Sequence, residues 1–183
     1  MEKKSQELLK FYTDIYELSK GYILRVDPHV TFDRLLPETV EPYTFFRTRN
    51  ALFDKEDHPL EFVTTLITAY REGFPHLAND IDFWHINLWT VEYIIWEQLP
   101  SFDPIQCLET MVKKREDYGD LPLRISGTVG VMARSGDKLC RYYNLVQRKP
   151  NETNFESIAD TLHDYFNYCL IALELINKKS CAG

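Results

Sequence analysis

The sequence predicts an all-α protein, a compact bundle of about six helices forming a single globular domain over residues 1–183. Three observations carry that expectation. Apolar residues recur at i, i+3, i+4 and i+7 in most segments. Alternation of the kind that makes strands is weak throughout, and the connections are short enough to join neighbouring helices. The exception is a proline- and aromatic-containing stretch near residues 21–59, where Pro28, Pro37 and Pro42 predict irregular structure with short turns.

Taken in order, residues 5–20 carry Leu8, Leu9, Tyr12, Ile15 and Tyr16 on one face, and Gly21 is expected to end that helix. Asp57 and Pro59 resemble a helix start and Gly73 and Pro75 a stop, which brackets the second helix. The third covers 80–98, with Trp89 and Trp96 two turns apart, and Pro100 closes it. Asp103 followed by Pro104 opens the fourth, which reaches Arg115 or Glu116. Tyr118, Gly119, Asp120 and Pro122 break it. Three glycines leave 126–136 open between helix and loop, and the next helix runs to about Arg148. A last long helix is expected over 155–177, with Asn154 as its cap and Lys178 and Lys179 at its end.

Composition bounds the function classes. The 183 residues are 44% hydrophobic and 27% charged with seven glycines, which excludes collagen-like and wholly disordered chains. A formal charge of -7 works against an extended grip on a long nucleic acid, but a few local cations or a divalent ion can still hold a small phosphorylated ligand. The polar first ten residues do not read as a signal peptide, and no apolar run approaches a membrane span. Cys107, Cys140, Cys169 and Cys181 are widely spaced without a CxxC pair, so they are expected to be reduced, packed thiols of a soluble cytoplasmic protein. Asp80, Asp82, His85 and His76 match no zinc spacing, and no GK[ST] phosphate loop, GxSxG or HExxH is present.

Two charged faces stand out. On a helical wheel Glu156, Asp160, His163, Asp164, Asn167 and Glu174 share an arc about 100° wide, opposite Leu162, Phe166, Cys169 and Leu173. No Lys or Arg occurs from Phe155 through Asn177, where a solvated helix often mixes signs. Carboxylates one turn apart lie about 6 Å from each other along the axis, close enough for two to share a divalent cation. The preceding helix has the opposite bias, with Arg134, Arg141 and Arg148 on one side and Lys138 beside them. Adjacent acidic and basic faces have two explanations: interhelical salt bridges, or a cleft whose cations hold phosphate and whose carboxylates hold metal.

Asp117-Tyr118-Gly119-Asp120, Gly136-Asp137-Lys138 with Arg141, and Glu156-Ser157-Ile158-Ala159-Asp160-Thr161-Leu162 with Asp164, Asn167 and Tyr168 occur in an order and spacing that resemble the nucleotide modification associated domain 1 family of phages and bacteria. The resemblance covers residues 107–177; residues 1–106 form an additional helical region outside it. Tyr165-Phe166 departs from the family's small or aliphatic residues at that place. The resemblance implies a role in nucleotide metabolism, in the cytoplasm of a bacterial host if the chain is phage-encoded. It also implies ligand contacts at Gly119, Lys138, Arg141 and Asn167, and at Tyr118 either stacking on a base or, the reading favoured by the residue alone, packing.

Three functions follow as expectations. The first is a Mg2+-dependent enzyme similar to the all-α nucleoside triphosphate pyrophosphohydrolases, with Glu156, Asp160 and Asp164 as catalytic metal ligands, although the ExxE and ExxD pairs of those enzymes are absent. The second is a non-catalytic module that captures a nucleotide or nucleotide-derived signal. The third is a structural interaction protein whose charged stripes pair with each other and whose Trp-rich helix serves a homo-oligomer.

Overall fold

The computed structural model describes residues 3–22, 60–147 and 157–181. The described residues form six α-helices: α1 (Lys3–Tyr22), α2 (Leu60–Gly73), α3 (Ile81–Gln98), α4 (Pro104–Tyr118), α5 (Leu121–Gln147) and α6 (Ile158–Cys181), with a 3₁₀ turn (His76–Asn79) between α2 and α3. No strand occurs among the described residues, so the all-α expectation holds. The stretch 23–59 and the predicted cap Asn154 lie outside them. No helix among the described residues is long and apolar enough to cross a membrane.

Local chemistry sets most of the boundaries. The Asp80 carboxylate accepts the Phe83 N–H at 3.0 Å and starts α3. Asp103 accepts from the Ile105 and Gln106 amides at 2.9 and 3.2 Å, and Pro104 fills the first turn of α4, where a missing amide costs nothing. Gly119 ends α4 at φ 70°, in the region that favours glycine. Several boundaries differ from the sequence expectation: α4 continues past Glu116 to Tyr118 and α6 past Asn177 to Cys181, and two starts or stops differ for local reasons. α1 runs through Gly21 to Tyr22, because one glycine costs a helix only about 1 kcal/mol. The described part of α6 starts at Ile158 behind a Ser157 cap, whose Oγ accepts the Asp160 N–H at 3.0 Å and donates to Asp160 Oδ2 at 2.7 Å.

The glycine-bearing stretch 126–136 is helical apart from Gly127, whose φ 55° and ψ -157° put a break in α5. Helix resumes beyond it because Thr128, Val131, Met132, Ser135 and Leu139 recur at helical spacing and are all buried. Gly136 answers to a close approach: a Cβ there would lie 2.9 Å from the Tyr70 ring of α2. The Tyr70 hydroxyl in turn pairs with Ser135 Oγ at 2.8 Å.

α6 is the central element, packed along α5 and α3, with α1 lying on α4 and α2 on α5. Its Tyr165 and Phe166 are fully buried. The Tyr165 hydroxyl donates to Asn87 Oδ1 in α3. The Phe166 ring meets Tyr16 of α1 at 5.8 Å and Phe102 of the α3–α4 connection at 5.5 Å, both edge-on. These aromatics are matched by partners from the first 106 residues, and the contact with Phe102 seats that connection over α6, where it helps to wall the site described below.

His85, in α3, is buried among the packed helices, and burial lowers its pKa to about 4 from an ordinary 6.5. Between those values the unfolded chain binds the proton and the folded chain does not. Stability therefore falls as pH falls, by up to about 1.4 kcal/mol per unit for this one group. Replacing His85 by Leu is expected to flatten the dependence of the urea midpoint on pH between 6.5 and 4; equal slopes in the two proteins would remove His85 as its cause.

Candidate functional site

The acidic face of α6 divides between two environments. Its first part borders a cavity of about 580 Å³ walled by α4, the α3–α4 connection and the start of α6. Asp160, His163, Asp164 and Asn167, at helical spacing, reach it from α6, and Cys107, Thr110 and Lys114 face them from α4. Asp160 is exposed, and its carboxyl is held below the usual carboxylate range chiefly by the Ser157 hydroxyl, with smaller help from the Ser157 amide, His163 and Lys114. Asp164 Oδ2 pairs with Lys138 of α5 at 2.8 Å; the Lys138 side chain is 15% exposed and that of Asp164 37%. Asn167 Oδ1 accepts from the Cys107 thiol at 3.4 Å. Burial pushes that thiol up to about 11, so Cys107 acts as a donor and packing group rather than a nucleophile.

The second part is an ionic core. Glu174 is 0% exposed, and its carboxylate accepts from the Tyr12 hydroxyl, Arg115 and Lys178. Arg115 also reaches Asp120 Oδ1 at 2.5 Å. Burial, reinforced by the Glu174 charge, raises the Tyr12 phenol above its usual range. Glu174 therefore joins α6 to α1 and α4 and takes no part in the cavity, although the wheel places it on the same stripe as Asp160.

The structure brings together three of the residues expected at a site: Asp160, Asp164 and Asn167. Lys138 touches the site through Asp164 and does not line the cavity. Arg141, half-buried on α5, is not among the lining residues either. Tyr118 is 76% exposed at the end of α4, and Gly119 serves the backbone turn that follows it. Glu156 lies outside the described residues. Within them no group of three or more His, Cys, Asp or Glu is arranged to hold a metal ion. Of the expected Mg2+ ligands, Asp160 and Asp164 are in view, and an oxygen of each is already engaged by Ser157 and Lys138.

Lys114 and Phe102 had no distinguishing signal in the sequence. Lys114 belongs to a run, Lys113-Lys114-Arg115, that reads as solvated surface, and only the packing of α4 against α6 turns it toward the acids. Compared with family models, with curated proteins and with solved structures, the chain matched none.

Proposed function

We propose that this protein binds a nucleotide or nucleotide derivative in the cavity between α4 and α6. One observation carries the reading: Asp160, Asp164 and Asn167, singled out by their resemblance to the nucleotide modification associated domain 1 pattern, converge on a single cavity with an aromatic wall and a lysine. Its volume of about 580 Å³ falls in the range of roughly 300–1,000 Å³ common to small-molecule sites. The carboxylates are acceptors for base amino groups and sugar hydroxyls, and the Asn167 amide supplies a donor. In the catalytic form of this proposal Glu156 would join Asp160 and Asp164 in holding Mg2+, and water would add to the α-phosphorus of a nucleoside triphosphate as the α–β phosphoanhydride breaks, giving a nucleoside monophosphate and pyrophosphate.

Calorimetry against a panel of nucleosides and nucleotides, with and without Mg2+ and followed by product mass, tests both forms. Asp164→Ala is expected to weaken binding about tenfold by removing a charged acceptor. Its effect on unfolding should stay within about 1 kcal/mol, because the pair with Lys138 is partly exposed. Unchanged affinity would remove Asp164 from the site. If product forms, Asp160→Asn is expected to abolish its formation, and persistent turnover would refute the metal assignment.

The Lys138–Asp164 pair also favours a second reading, in which the charged stripes are interhelical ties and the chain is a structural interaction protein. Absence of binding across the panel would select it.

A further inference from the structure

The cavity is chemically polarised. At one end the Phe102 and His163 rings lie 5.1 Å apart, tilted by 42°. Aromatic faces of this kind stack on a nucleobase with little regard for its identity. Lys114, the one lysine or arginine among the lining residues, stands on α4 eleven positions beyond Asp103. α4 rises about 16 Å along its axis between Asp103 and Lys114, the length scale of a base, a sugar and a 5′ phosphate. Three carboxylates also line the space, those of Asp103, Asp160 and Asp164; Lys138 offsets Asp164, and the remaining two outweigh Lys114.

We infer that the cavity takes a nucleoside 5′-monophosphate, with the base against Phe102 and His163 and the phosphate against Lys114, and that Lys114 sets the preference for one phosphate over none or three. This rests on the nucleotide reading above and adds a ligand class and an orientation to it. A single ammonium offsets about half of the roughly two negative charges of one phosphate group. Each further phosphate brings more negative charge toward the carboxylates, while the neighbouring cation Lys138 is already paired with Asp164, so affinity should decline from mono- to di- to triphosphate when no divalent ion is present.

The test is calorimetry on the full chain with adenosine, guanosine, cytidine and uridine and their 5′-mono-, di- and triphosphates, in chelator-treated buffer, using wild type, Lys114→Ala and Lys114→Arg. For whichever base binds, wild type is expected to hold the monophosphate about tenfold tighter than the nucleoside and about tenfold tighter than the triphosphate. Lys114→Ala should erase the gain over the nucleoside while leaving nucleoside affinity within about twofold, and Lys114→Arg should restore it. A wild type that does not distinguish nucleoside from monophosphate, or an alanine variant that weakens both equally, overturns this inference and leaves the nucleotide reading standing. Failure of wild type to bind any member of the panel overturns both. The phosphate order in wild type is measured without any substitution, so poor folding of a variant would not protect the inference.

Discussion

Replacing Glu174 by alanine is expected to cost about 3–5 kcal/mol of folding free energy, because it strips a buried cationic group of its main counter-charge. The Glu174 carboxylate is fully buried and engages Arg115, Lys178 and the Tyr12 hydroxyl. Arg115 would keep the Tyr12 hydroxyl oxygen as an acceptor and the partly exposed Asp120 as counter-charge. Lys178 can turn to water, since its side chain is 60% exposed, so the penalty falls mainly on Arg115 and Tyr12. Urea unfolding of Glu174→Ala measures the loss. The double variant Arg115→Met with Glu174→Leu is expected to recover most of it, because removing both charges together leaves neither stranded. A single variant that loses less than about 1 kcal/mol, or a double variant that loses as much as the single one, would mean that the cluster does not act as a coupled unit.

Trp84→Ala should be comparably damaging, at about 3–5 kcal/mol, through the void left by a large side chain with 0% exposure. Two contributions can be separated. The indole packs edge-on to Phe83 at 5.3 Å, and its Nε1–H donates to the Ala78 carbonyl at 3.0 Å. Ala78 is itself buried in the 3₁₀ turn, so losing the donor leaves its oxygen unsatisfied away from water. Trp84→Phe keeps much of the volume and forfeits that bond, and is expected to cost about 1–3 kcal/mol. If thermal or urea unfolding finds the phenylalanine variant as damaged as the alanine one, the hydrogen bond and not the packing governs the position. Trp89, offered by the sequence as part of an oligomer surface, is partly buried against the same core.

Much of the fold could be read without coordinates because its signals are local. Asp80 and Asp103 cap helices through amides two or three residues away, and Gly119 supplies a positive φ within its own turn. Such contacts require only neighbours in the chain. The 126–136 stretch was undecided on those terms, since local propensity weighs three glycines against helix while burial of Val131, Met132 and Leu139 outweighs them. Trp84 was equally hidden: α3 is apolar on nearly every side, so its period singles out no face and no anchor.

The candidate site divides along the same line. Periodicity alone sorts Asp160, Asp164, Asn167 and Glu174 onto one side of α6. Which neighbour each meets depends on the crossing of helices distant in the chain, and there the stripe separates. α4 and the Phe102 connection turn Asp160, Asp164 and Asn167 into a cavity wall, α5 brings Lys138 to Asp164, and α1 with Arg115 closes over Glu174. Helix period, caps and charge sign are properties of residues a few positions apart, so they were settled by the order of amino acids. The pairing of faces, and with it the exchange of Lys138 for Lys114 as the cation lining the cavity, belongs to three-dimensional packing, because only there do separate helices come within reach of one another.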